Sequence, residues 1–180
     1  LMAYPGTFTV TQATLDAMVR EIIASSLRRG LRKFVIVNGH GGNDFAALVR
    51  QTQCDLDVHV FVCDWWKVGQ DRYAEIFDAP DDHAGEMETS VALALFPELV
   101  DLHVVGDGRA RPFRIEALRQ GWVRTSRDFA KLNDQCAVGD PSAASAEKGR
   151  AYLDLVCGRL GDFLAELAAA EVDEYFPFVP

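Results

Sequence analysis

Two short histidine-containing segments carry the residues of this 180-residue chain that are best suited to chemistry. They are Asn38-Gly39-His40-Gly41-Gly42-Asn43 and His83-Ala84-Gly85-Glu86-Met87-Glu88-Thr89-Ser90. Each places an imidazole, which binds metals and exchanges protons near neutral pH, among glycines that let a ligand approach the backbone closely. The second segment adds two carboxylates close behind its histidine. Together the two segments predict part of a metal-dependent hydrolase site.

The first segment follows residues 33–37, an apolar run that predicts a short buried strand. Sites in open parallel sheets form beyond the carboxyl ends of strands, so His40 lies where a ligand is expected. Phosphate is an alternative ligand for a glycine-rich loop. However, Asp44 stands where the dinucleotide fingerprint needs its third glycine, no Gly-Lys-Ser/Thr follows, and the Asp44 carboxylate repels an anion. A second alternative is that His40 turns inward and is structural.

In the second segment, a helix that starts near Gly85 puts His83 at its entrance and both glutamates in its first turn. First-turn carboxylates also occur simply because they suit the helix dipole. Glu86 and Glu88 are two positions apart and point in different directions, so at most one of them is expected to face a ligand. Thr89 and Ser90 either orient a ligating carboxylate or bond back within the helix.

The periodicity of apolar residues predicts an α/β domain with a parallel sheet, because helices and apolar strands alternate with short links. The apolar face of the first helix comprises Leu15, Met18, Val19, Ile22, Ile23 and Leu27. The predicted helices cover 11–29, 44–53, 86–95 and a long final segment from 140, and the predicted strands cover 33–37, 58–63 and, more weakly, 102–105. Residues 73–77 are a short amphipathic piece. Residues 106–139 are predicted to form loops with short elements. No internal repeat interrupts this order, so 1–180 is expected to be a single domain.

Composition sets limits on function. Acidic residues outnumber basic ones, with 27 against 18, and the formal net charge is −9. This balance argues against nucleic acid and anionic membranes as partners. The sequence has neither a long apolar span nor a recognisable signal peptide, so the expected location is the cytoplasm.

The remaining histidines and the cysteines are predicted to be structural. His59 and His103 lie in predicted strands without glycines or carboxylates around them. The cysteines form no C-x-x-C pair and are expected to be reduced packing residues. They are Cys54, Cys63, Cys136 and Cys157.

The two histidine segments, in this order and separation, resemble the creatininase (creatinine amidohydrolase) family. Tyr4-Pro5-Gly6-Thr7 is similar to the Pro-Gly-Thr turn of that family, and Gly139-Asp140-Pro141, with Ala146, Glu147 and Gly149, is similar to the entry to its last helix. The resemblance implies a three-layer α/β/α sandwich with a mainly parallel central sheet. It also implies a metal-dependent amidohydrolase that acts on a small-molecule amide and forms a homo-oligomer, commonly a hexamer.

By position, the resemblance implies that His40 is a metal ligand and that His83 is the proton donor or acceptor at the scissile nitrogen. Glu88 matches the more regular glutamate of the motif and is expected to be the catalytic or ligating carboxylate, with Glu86 as the other candidate ligand. The implied cofactor is one or two divalent ions of zinc, manganese or iron, which lower the pKa of a bound water toward ~7. The residues expected to bind substrate are Gly41, Gly42, Asn43, Trp65 and Trp66. For the two tryptophans, a place in the core or at a subunit contact is an equal alternative.

The sequence also departs from the family pattern. Gly42 replaces a glutamate ligand and Ala79 replaces a tryptophan, which together argue against creatinine as the substrate. Relatives with the glycine-rich version include deformylases of cofactor biosynthesis and a peptidase that trims a redox-cofactor precursor.

The early Glu-x-His segment that supplies further ligands in the family does not occur in this sequence. We therefore expect the chain to be the C-terminal three-quarters of a longer domain, with the remaining ligands upstream of Leu1. Asp64 is a weaker candidate for an additional ligand. The alternative function is a non-catalytic, metal-free scaffold or oligomerisation module.

Overall fold

The computed structural model describes residues 3–179, so Leu1, Met2 and Pro180 lie outside it. The strands are β1 (Lys33–Asn38) and β2 (His59–Asp64). The helices are α1 (Gln12–Leu27), α2 (Ala46–Asp55), α3 (Tyr73–Ile76), α4 (Glu86–Leu95), α5 (Glu116–Arg119), α6 (Phe129–Leu132) and α7 (Ala146–Ala169). Short 3₁₀ turns occupy Trp65–Lys67, Gln70–Arg72 and Pro97–Leu99.

The chain divides into two compact units. One, here called the sheet unit, comprises Val10–Gln70 and Val156–Pro180, and the other, the α4 unit, comprises Leu1–Thr9 and Asp71–Leu155. The division places His40 in the sheet unit and His83 in the α4 unit. The prediction of one domain over 1–180 stays a prediction.

In the sheet unit, β1 and β2 form a parallel pair in register from Lys33 opposite His59 to Asn38 opposite Asp64. Helix α1 begins one residue after the predicted start, because the Thr11 hydroxyl caps it by accepting the backbone N–H of Thr14. Ile23 of α1 packs with Val58 and Val60 in a buried cluster. Partly buried residues from α1, from β1 and from α2 with the residue that follows it surround this cluster, namely Val19, Leu27, Phe34, Ile36, Val49 and Leu56.

The predicted apolar face of α1 was partly wrong. Met18 is 54% exposed and Ile22 is 62% exposed, whereas Ile23 is buried. Ile22 and Ile23 are separated by about 100° around the helix, so they cannot both face the same cluster. The sequence stripe is therefore wider than the surface that packs against Val58 and Val60.

In the α4 unit, Tyr152 of α7 is fully buried and its ring contacts Phe77 edge-on at 5.3 Å between centroids. Phe77 in turn contacts Tyr73 at 4.8 Å. Helix α4 has the predicted bounds, with Gly85 at its N-cap. Residues 106–139 contain only the short helices α5 and α6 among loops, as predicted.

Three other sequence predictions were wrong. Residues 102–105 form a turn, not a strand, because the Asp101 carboxylate accepts the backbone N–H of His103. Helix α7 begins at Ala146 and not near Asp140, because the Ser145 hydroxyl caps it by accepting the backbone N–H of Lys148. Cys54 and Cys157 are exposed thiols and do not pack in a core.

In the described part of the chain, no helix is long and apolar enough to cross a membrane.

Candidate functional site

The glycine loop after β1 is organised by Asn38, the last residue of that strand. Asn38 is 3% exposed, and its side-chain carbonyl accepts the backbone N–H of His40 at 3.2 Å and the amide of Asn43 at 3.0 Å. Its own amide donates to the Asp64 carboxylate at 2.8 Å. Because Asn38 and Asp64 are register partners at the ends of β1 and β2, the sheet edge itself fixes the loop that carries His40.

The His40 ring lies against its own loop. Its Nδ1 accepts the backbone N–H of Gly42 at 2.9 Å. A Cβ atom at Gly42 would lie only 2.9 Å from that same Nδ1, so a side chain there would displace the ring. The glycine that replaces a glutamate of the family pattern is therefore what lets His40 take this position.

Trp65 and Trp66 follow β2 directly and are both half-buried. A Cβ at Gly41 would lie 3.7 Å from the Trp66 ring, so these two predicted substrate residues are neighbours. Asp64 bonds to Lys67 at 2.7 Å as well as to Asn38. The hydrogen bond from Lys67, followed by that from Asn38, holds the pKa of Asp64 below its usual range.

The backbone of His83 is held in the α4 unit by a two-way pairing with Val138. His83 N–H donates to the Val138 carbonyl at 2.9 Å, and Val138 N–H donates back at 2.7 Å. The His83 ring contacts Phe129 at 4.6 Å between centroids. Ala84 then adopts a positive φ of 51°, an unusual conformation for a residue with a side chain. This kink turns the chain from His83 into α4.

Carboxylates that reach back from α4 or precede it hold the kink in place. Glu88, in the first turn, accepts the backbone N–H of Ala84 at 2.5 Å, which resembles a capping box. Asp81 accepts the backbone N–H of Met87 at 2.8 Å and so caps the helix from the other side. Burial, followed by the nearby charges of Glu88 and Glu86, raises the pKa of Asp81 above its usual range.

Glu86 is 1% exposed and occupied on both oxygens. One oxygen accepts the backbone N–H groups of Asp78 and Ala79, at 2.8 and 3.1 Å, and the other pairs with Lys148 of α7. The ammonium of Lys148 also bonds to Asp78. These contacts are those of a structural carboxylate that ties the 78–79 segment and α7 to the start of α4.

Residues 3–179 taken alone do not fit a complete metal centre. Among them there is no group of three histidine, cysteine, aspartate or glutamate side chains placed to hold an ion, whereas catalytic zinc sites use about three protein ligands. In addition, a neutral ring that accepts through Nδ1 carries its proton on Nε2. For Nε2 of His40 to ligate a metal, the ring must give up the Gly42 contact.

Sequence reasoning missed three residues that shape these segments. Asn38 was predicted only as a member of the glycine motif, Asp81 lies outside both histidine segments, and Lys148 lies in the final helix. For Asn38 the available signal was its polar side chain at the end of a buried strand. For Asp81 it was a carboxylate shortly before a helix start, six residues before Met87, whose backbone N–H it accepts. No sequence signal pointed to Lys148, because its partner Glu86 lies 62 positions away.

Comparison with known proteins supports one assignment. A family model, Creatininase, described as creatinine amidohydrolase, matches residues 1–164. The chain belongs to the creatininase family. It is 31% identical to creatinine amidohydrolase from Pseudomonas putida over 178 residues, which cover 91% of this chain and 66% of that protein. It is also 31% identical to the mycofactocin precursor peptide peptidase of Mycolicibacterium smegmatis, over 86% of this chain and 58% of the peptidase.

Solved structures agree with this creatininase assignment. A Bacteroides fragilis protein assigned to the creatinine amidohydrolases superimposes with a TM-score of 0.87 at 34% identity, covering 94% of this chain and 67% of that chain. Creatininases of a Zn–Zn type and with Mn also match, with TM-scores of 0.71 and 0.69 at 28% and 29% identity, each over 93% of this chain and 68% of theirs. The predicted creatininase-like α/β fold is confirmed. The chain spans 66% and 58% of the length of the two curated relatives, both of which are named as hydrolytic enzymes.

Proposed function

We propose that this protein is a metal-dependent amidohydrolase that cleaves the C–N bond of a small or cyclic amide, a formamide or a short peptide with metal-activated water. The observation that carries the proposal is the placement of His83. Its backbone is paired with Val138, its ring contacts Phe129, and the Ala84 kink fixes its direction relative to α4. Family membership supports the reaction class.

In this proposal His83 handles the proton of the scissile amide. An amine leaves readily only if its nitrogen gains a proton as the C–N bond breaks, and an imidazole can donate one near neutral pH. Glu88 bonds to the N–H that follows His83 in the chain, so it keeps the kink that carries His83, whether or not it also contacts a metal. The proposed substrate contacts in the sheet unit are Gly41, Gly42, Asn43, Trp65 and Trp66.

The proposed cofactor is a divalent ion, with zinc and manganese favoured by the matched creatininase structures and iron as the third choice. His40 is its proposed ligand among the described residues, with Glu88 second and Glu86 last because both Glu86 oxygens already have partners. The proposed assembly is a homo-oligomer, with a hexamer as the size to test by light scattering.

The test is to express the intact gene and purify the protein with its metal. Bound metal is measured, and hydrolysis of creatinine, N-formylglycine and dialanine is assayed with His83→Asn and, as a control, His103→Asn at an exposed turn. We expect activity toward at least one of these classes, a loss of about 10²-fold or more in His83→Asn and no change in the control. A metal-free, inactive protein would refute the proposal.

A second candidate function is a non-catalytic scaffold derived from the family. The observation that favours it is the lack of a three-residue ligand group within residues 3–179. The same assay separates the two functions, because a scaffold assembles normally while neither binding metal nor hydrolysing any of the three substrates.

A further inference from the structure

The segment from Arg127 to Phe129 contacts both residues of the Asp82-His83 dipeptide. Phe129 is 9% exposed, and its ring meets the His83 ring at an interplanar angle of 60° with 4.6 Å between centroids. Arg127 forms an ion pair with Asp82, with a second contact from its other terminal nitrogen at 3.2 Å. The same guanidinium lies 5.2 Å from the Phe129 centroid. The two residues thus contact both members of the dipeptide and each other.

Hydrogen bonds at the end of α6 hold the 127–129 segment in place. Phe129 begins α6, and the last residue of that helix, Leu132, is buried and accepts the backbone N–H of Arg111 at 2.8 Å. The next residue, Asn133, donates its amide to the carbonyls of Arg109 and Ala137. Because Ala137 precedes Val138, which pairs with His83, α6 is tied to the strand-like segment that holds the His83 backbone.

We propose that Phe129 and Arg127 are positioning residues that fix the orientation of the His83 imidazole. The backbone pairing with Val138 fixes where His83 lies but does not by itself set its side-chain torsions. An aromatic ring at 4.6 Å restricts those torsions, since edge-to-face contact has a preferred geometry. Arg127 holds the Phe129 ring by a cation–π contact and Asp82 by an ion pair. The inference rests on the proposed proton-transfer role of His83.

The first readout needs no activity. A histidine beside a phenyl ring has ring-current-shifted imidazole resonances, which NMR of histidine-labelled protein detects and His83→Asn assigns. In Phe129→Leu we expect the His83 signals to move toward free-histidine positions, whereas Phe129→Tyr keeps them. Arg127→Met is expected to move the His83 signals in the same direction but by a smaller amount. Arg127→Lys is expected to keep most of the original ring-current shift. The matched control is Phe77→Leu, a buried phenylalanine of the same unit that packs on Tyr152 and Tyr73.

The second readout is kinetic, on whichever of creatinine, N-formylglycine and dialanine the holoenzyme hydrolyses. Misplacing a catalytic group by about 1 Å costs about 10²-fold in rate, so Phe129→Leu should lower kcat about tenfold or more with KM within about twofold. Phe129→Tyr should recover most of kcat, and Phe77→Leu should leave it unchanged.

The outcomes separate the two proposals. Unmoved His83 signals in both Phe129→Leu and Arg127→Met, or signals that move equally in Phe77→Leu, would overturn the positioning role. Moved signals with full activity in His83→Asn would instead refute the proton-transfer role and leave the contact as packing only. If Phe129→Leu does not fold, Arg127→Met and Arg127→Lys decide the positioning role.

Discussion

At the scale of single residues, the carboxylates at the head of α4 differ by environment and not by type. Glu86 is buried with two backbone N–H groups and an ammonium, whereas Glu88 is half-buried with one N–H. A buried carboxylate with this many partners is costly to remove, because each partner is then left unsatisfied away from water. Helical position alone could not rank the two, since both occupy first-turn positions, and only the family resemblance put Glu88 first.

Glu86→Ala should therefore lower the free energy of unfolding by about 3 kcal/mol, since it strands Lys148 and two backbone donors. Glu86→Gln should cost about 1 kcal/mol, because the amide oxygen still accepts from Asp78 and Ala79. Chemical denaturation measures both, with Glu98→Ala at an exposed position as the control. Equal losses in the two variants would mean that the charge, and not the shape of the acceptor, stabilises this contact.

Gly42 is the residue that sets the position of His40. Gly42→Ala should displace the His40 ring, since the new Cβ would lie 2.9 Å from Nδ1, yet change stability by less than about 1 kcal/mol because the clash is with a side chain. The His40 imidazole resonances and the unfolding curve test the two parts separately. Gly39→Ala, whose Cβ would meet nothing within 4 Å, is the control. Unchanged His40 resonances in Gly42→Ala would contradict this account.

At the scale of elements, α4 and the first half of α7 pack backbone against backbone. A Cβ at Gly149 would lie 2.0 Å from the Ser90 carbonyl oxygen, far inside contact distance. Ser90 is fully buried, and its hydroxyl accepts the backbone N–H of Ser145, which caps α7. The approach of the two helices therefore depends on one glycine and one small hydroxyl residue.

Gly149→Ala should lower the free energy of unfolding by about 2–3 kcal/mol, because backbone atoms must move to admit the methyl group. Gly158→Ala, in the same helix but with nothing within 4 Å of its Cβ, should raise it by about 0.5–1 kcal/mol through helix propensity. Thermal unfolding of the pair is the measurement. A neutral Gly149→Ala would show that the helices separate without cost.

Elements that carry their own signals were predictable from sequence. Both strands, α1, α2 and α4 lie within about two residues of their predicted bounds, since apolar periodicity and caps are local. The start of α7 and the 102–105 turn were not predicted, because Ser145 and Asp101 compete locally for backbone N–H groups. Among the candidate site residues, His40 and His83 were evident from their motifs. Asn38 carried a local signal as a polar residue at the end of a buried strand, whereas Lys148 and Phe129 become apparent only when distant segments meet.

At the scale of the whole molecule, the chain carries the two histidine segments typical of the creatininase family, but its described residues offer few side chains that could bind a metal. Family membership favours a metal, and the matched creatininases include zinc and manganese forms. The described donors, however, form no three-ligand group. Affinity falls as ligands are lost, so this 180-residue chain on its own is expected to bind metal weakly and to lose it on dialysis.

Weak binding is still measurable, because a ligand that binds only the folded state stabilises it by mass action. Zinc or manganese at about 100 times the dissociation constant should stabilise the chain by about 2.7 kcal/mol, or about 5–10 °C in Tm for a protein of this size. His40→Ala should abolish the shift, Glu88→Gln should reduce it, and His103→Ala should keep it. A shift that survives His40→Ala would place the ion elsewhere. No shift with zinc, manganese or iron would mean that these residues contribute no binding of their own, and the scaffold function would then be favoured for this segment.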